Sequence, residues 1–117
     1  MLLNDAVVAF NSVGKILEKE IPISLAFRLQ KVFEALKGDV TMFYAARQKL
    51  IEQNSTKASD TEFKLTPEQQ DFVNKEIDSM LGSSISFPEE LKIPMNMIEN
   101  ISLEGNAALG LKAILKE

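Results

Sequence analysis

A mainly α fold built on a long helical hairpin is what this chain predicts, on three observations. From Ser24 to Asn54 apolar residues recur at Leu25, Leu29, Val32, Leu36, Val40, Phe43 and Leu50, with only Arg47 breaking the row. Steps of three and four average close to the helical period, so these side chains share one face. Upstream, Leu3, Val7, Phe10, Val13 and Leu17 form a second row of the same kind. Ile21-Pro22-Ile23 separates the two rows, and a connector that short returns the second helix antiparallel to the first.

The first helix is expected from about Asn4 to Glu20, with Asn4 or Asp5 capping its opening N–H groups. Gly14 costs this helix ~1 kcal/mol relative to Ala and offers a neighbouring helix a place to approach closely. Pro22 ends it, because a proline disfavours helical geometry at the residue before it. The same proline can open the second helix, with Ser24 in the first turn or acting as the cap. Roughly 30 residues of helix measure about 45 Å. The first helix is about half that length, so half of the second remains to be covered. The apolar row stays in phase across Gly38-Asp39, which favours one continuous helix over a break.

Gln53 to Asp60 reads as a polar loop, and Thr61-Glu62-Phe63-Lys64-Leu65 alternates like a short strand. Thr66-Pro67-Glu68-Gln69 is the cleanest local signal: Thr66 caps, Pro67 suits the first helical position, and Gln69 reaches back in a capping box. Phe72, Val73, Ile77, Met80 and Leu81 supply the buried stripe of that helix, and Gly82 ends it as a C′ residue. Ile85 and Phe87, then Leu91, Ile93, Met95 and Met97, alternate as two short strands or extended arms, with Pro94 confined to an edge or end. Leu103 through Lys116 reads as a small terminal helix. The expected organisation is one domain over 1–117, a hairpin over 4–54 carrying a smaller unit of one helix, two short strands and a C-terminal helix over 61–117. Its core is expected to hold Phe10, Leu17, Leu25, Leu29, Val32, Leu36, Val40, Phe43, Leu50, Phe72, Ile77, Met80 and Leu81.

Composition removes whole classes of function. Thirteen basic against seventeen acidic residues leave a net charge of −4, and a mildly acidic surface opposes binding along a phosphate backbone. The basic residues of the long helix alternate with Glu34, Asp39 and Glu52 as on a solvated face, so no nucleic-acid partner is expected. The chain has no Cys and no His. Thiol nucleophiles, disulfides, the usual zinc sites and imidazole catalysis are therefore out. No apolar run approaches ~18 residues, and Met1-Leu2-Leu3-Asn4-Asp5 lacks the positive start of a secretory signal. A cytoplasmic protein without a membrane segment is the expectation.

Reactive groups do not converge in the sequence. Glu89-Glu90 is an acidic pair beside Pro88, but neighbouring residues of an extended segment point opposite ways. Ser83, Ser84 and Ser86 have no base to activate them, and the five glycines form no phosphate loop. Neither a cofactor nor a metal is expected, and an enzyme is the weakest class. Arg47 sits in the apolar row, where a charge must be paired or reach water. Either it snorkels past the core to an acidic residue on another helix, or it joins Tyr44 and Arg28 in an inter-helix pocket for an anionic, nucleotide-like ligand. The uncovered half of the long helix points to a second copy, joined most simply through a C2 contact. Leu36, Val40 and Phe43 are the candidate interface on that helix. Met95 and Met97 join them, since methionines form soft apolar patches.

The order of segments adds a resemblance. Ala45-Ala46-Arg47-Gln48-Lys49-Leu50-Ile51-Glu52 is followed by a polar loop, a helix containing Phe72-Val73-Asn74-Lys75-Glu76, the arm Ser84-Ile85-Ser86-Phe87 and a short terminal helix. Over most of Ile21 to Lys116 this resembles a group of small bacteriophage- and prophage-encoded proteins of unknown function. The resemblance implies a phage origin and a small, mostly helical fold, and it supplies no catalytic residues. The leading expectation is a non-enzymatic interaction protein, either an assembly accessory or an inhibitor of a host protein, that forms a dimer or higher oligomer. A ligand-sequestering anti-defence protein and a virion structural component are the alternatives, the last adding virion association to the expected location.

Overall fold

The computed structural model describes residues 1–57, 63–99 and 109–116. The fold is mainly helical: α1 (Leu3–Leu17), α2 (Ile23–Asn54) and α3 (Pro67–Leu81) carry most of it. Two-residue strands complete it, β1 (Thr56–Lys57) with β2 (Phe63–Lys64) antiparallel and β3 (Ile93–Pro94) with β4 (Leu115–Lys116) parallel. At about 1.5 Å per residue the 32 residues of α2 measure ~48 Å, the whole of the molecule's 49 Å long axis. A compact chain of this length has a radius of gyration of about 13 Å; here it is 16.9 Å. The rod sets the shape.

The predicted hairpin forms. α1 packs on α2, and the Phe10 and Phe33 rings stack at 4.3 Å across the contact. Gly38 leaves α2 unbroken. Every member of the long row from Leu25 to Phe43 is buried, as are Ala6, Ala9, Val13 and Ile16 of α1. The core does not stop at the hairpin. Ile93, Leu111 and Ile114 are fully buried in the same cluster, and Ile85, Phe87, Leu91 and Met97 pack against it. The chain after α3 therefore folds back over the hairpin and fills its open side.

The N-terminus of α1 is capped by that returning chain. Neither Asn4 nor Asp5 caps it; Leu2 holds the cap position without a side-chain bond. Instead the Leu3 N–H donates to the Ser83 carbonyl at 2.7 Å, and the Ile85 N–H to the Met1 carbonyl at 2.7 Å. A tertiary acceptor has taken the role that the sequence assigned to a side chain. At α3 the local signal holds in full: Thr66 Oγ1 accepts from the Gln69 N–H while Gln69 Oε1 accepts from the Thr66 N–H.

Several expectations give way. α1 ends at Leu17, three residues before Glu20, with Glu18 as its C-cap. Gly14 admits no especially close neighbour, since a Cβ there would lie 3.7 Å from Phe33 Cε2. Gly82 closes α3 with φ −80°, without a left-handed turn. Phe72 faces solvent and Val73 is the buried residue of α3, because α3 presents a different edge to its neighbours than the stripe implied. The two arms are mostly irregular: beyond β3 they form single 3-10 turns at Glu89–Leu91 and Met95–Met97. The terminal helix does not run to Lys116. Residues 103–108 of that expectation lie outside the described residues; Leu109 and Gly110 are helical, and a 3-10 turn at Lys112–Ile114 and then β4 follow.

Candidate functional site

Five residues of the expected interface meet different fates. Leu36, Val40 and Phe43 are buried by the chain's own segments, so they are not a free surface for another molecule. Met97 is half-buried against the core, and Met95 alone of the five stays exposed. Leu36 and Val40 share one core cluster with Ile93, Leu111 and Ile114 of the returning chain, and α3 packs on α2 as well.

The anion pocket does not assemble. Arg28, Tyr44 and Arg47 all belong to one unbroken helix. At about 1.5 Å per residue, sixteen and nineteen steps put Tyr44 and Arg47 roughly 24 and 28 Å from Arg28. All three are exposed. The Tyr44 hydroxyl accepts from Asn11 Nδ2 at 3.2 Å, tying the far part of α2 to α1. Arg47 stands where the core row has run out past Phe43, so it reaches water, and among the described residues no carboxylate pairs with it.

The clefts are shallow and carry little chemistry. One of about 500 Å³ lies between α1 and the C-terminal segment, lined by Asp5, Val8, Lys92, Gly110 and Lys112 among others. A smaller one of about 240 Å³ adjoins it through Asp5, Lys92 and Ala113. Lys92 is committed to Glu89 at 2.8 Å. Among the described residues no group of three acidic, Cys or His side chains could hold a metal ion.

Leu109, Phe72 and Met95 are exposed elsewhere on the molecule, and the solvent side of α2 carries a row. Phe27, Lys31, Glu34, Gly38 and Met42 follow the core residues Leu25, Leu29, Val32, Leu36 and Val40 by two positions each. Two positions are about 200° round the helix, so these five form a second row directly behind the core row. Ile23, one step of four before Phe27, extends the row to the start of α2, and Ile23, Phe27 and Met42 are 88%, 63% and 71% exposed. The Lys31 ammonium stands 4.7 Å from the centre of the Phe27 ring. Gly38 opens a notch in the row, for a Cβ there would meet nothing within 4 Å. Sequence reasoning passed over this row because it looked for one apolar face. The signal was present in Phe27 and Met42, both out of phase with the core.

No protein-family model matches this chain, no curated protein matches it in sequence, and no solved structure matches its fold.

Proposed function

We propose that this protein is a non-enzymatic interaction protein whose α2 rod presents a contact surface to other protein chains. The observation that carries the reading is the solvent row of α2, where three large apolar side chains stand uncovered on a helix as long as the molecule. Such side chains gain roughly 1.5–3 kcal/mol each when fully buried against a partner. The largest clefts, by contrast, hold surface lysines and carboxylates with no nucleophile and base in convergence. In the phage setting that the resemblance implies, the role is an assembly accessory or an inhibitor of a host protein. No helix among the described residues is long and apolar enough to cross a membrane.

The test is covalent capture in the producing cell. A photo-reactive residue placed at position 42, on the exposed row, should give one or two discrete crosslinked species. The same group at Asn96, exposed in the Met95–Met97 turn, should give none of them. Equal, diffuse labelling from both positions would argue against a dedicated contact surface.

A further inference from the structure

The partner that this row fits best is a second copy of the chain, and this inference rests on the contact-protein reading above. Antiparallel pairing of two α2 helices about a two-fold axis brings residue i of one level with residue c − i of the other, where c is fixed by the register. The row Phe27, Lys31, Glu34, Gly38 has the four–three–four spacing of a packing seam. We infer that the chain self-associates through this seam in the register whose paired numbers sum to sixty-five.

Three complementarities converge on that one register. Phe27 stands level with Gly38 of the second copy, a ring opposite the only residue of the row without a side chain, and the open space at Gly38 receives it. Lys31 stands level with Glu34 of the second copy, and the two-fold repeats the pair. Neither residue forms a salt bridge among the described residues; Glu34 accepts only an amide bond from Gln30, 3.0 Å long. Ile23 stands level with Met42 of the second copy, so each end of the contact is closed by two of the most exposed apolar side chains. Shifting the register by one heptad, to a sum of seventy-two, sets Glu34 against Gly38 and Lys31 against Thr41, and both complementarities vanish. Arg28 and Lys37, the other cations here, lie on opposite flanks of the row, about 80–100° from its centre, and do not face each other. The Glu89–Leu91 turn borders one edge only, along the cleft shared by Phe27, Arg28 and Lys31.

The contact runs from Ile23 to Met42, about 30 Å of helix. That is at the small end of specific interfaces, so dissociation in the micromolar range is expected. Sedimentation velocity of the full chain, up to about 0.5 mM, should show a concentration-dependent shift from monomer to dimer mass. Lys31→Glu and Glu34→Lys should each weaken the dimer tenfold or more, since like charges then meet twice. The double variant Lys31→Glu/Glu34→Lys should restore it. Gly38→Leu fills the notch and should abolish the dimer while the melting temperature of dilute protein stays level or rises, because leucine is the better helix former. A monomer at every concentration overturns the inference, as does a dimer indifferent to Lys31→Glu or a charge-swapped double variant that remains monomeric. Discrete capture of a different protein by a chain that stays monomeric overturns self-pairing and leaves the contact-protein reading standing.

Discussion

Gly110 shows how much a single residue without a side chain can decide. A Cβ there would lie 1.8 Å from Ser12 Oγ and 2.8 Å from Ser12 Cβ, closer than real atoms approach. The C-terminal segment seats against α1 only because position 110 is glycine. Gly110→Ala should cost about 1–3 kcal/mol by overpacking, read as a lower urea midpoint. In a double-mutant cycle Ser12→Gly should recover part of that loss, because it removes both clashing atoms; strictly additive effects would show that the overlap is relieved elsewhere. Leu29, fully buried in the hairpin, sets the contrast with Phe72. Leu29→Ala should cost about 2–5 kcal/mol, whereas Phe72→Ala on the open side of α3 should stay near ~0.5 kcal/mol. Leu29 was legible because six apolar neighbours share its phase. Phe72 was misread because α3 offers two overlapping stripes and only packing selects between them.

Elements differ in whether their ends are written locally. The opening of α3 is a reciprocal pair of hydrogen bonds between residues three apart, so it could be read from four letters. Thr66→Ala should therefore cost ~1 kcal/mol and Thr66→Gly only a few tenths, measured by thermal melting. The opening of α1 depends on the Ser83 carbonyl, some eighty residues away, and nothing in Asn4 or Asp5 announces it. Within α2, Gly38→Ala should raise stability by roughly 0.4–1 kcal/mol at concentrations where the protein is monomeric. A loss instead would mean that Gly38 already packs against something in the isolated chain. β2 and β3 fall inside segments whose alternation predicted short strands, whereas β1 and β4 were beyond local reading, since two residues hold no period and each pairs only because tertiary contacts bring its partner alongside.

At the scale of the molecule, the hairpin and the later segments share one core, with Ile93, Leu111 and Ile114 buried among hairpin residues. Ile114→Ala should then lower the stability of the hairpin itself by about 2–5 kcal/mol. Unfolding followed by far-ultraviolet circular dichroism and by Tyr44 fluorescence should give coincident transitions. Two separated transitions would mean that the hairpin stands alone. Burial within the chain also removes Leu36, Val40 and Phe43 from the candidate contact residues, and the contact surface proposed above lies on the opposite side of α2. α3 packs on α2 too, so what stays bare is the solvent side of the rod.

Periodicity along the chain was enough for the helices, their order, the continuity of α2 and the cap of α3, because each is fixed by residues within one or two turns of one another. Which segments cover the apolar side of α2, and how far the core extends into the last residues, were decided only in three dimensions. A repeat of three and four residues names a face without naming what covers it. That choice belongs to segments distant in sequence, which bury the most apolar surface the close approach at Gly110 and the short strands allow.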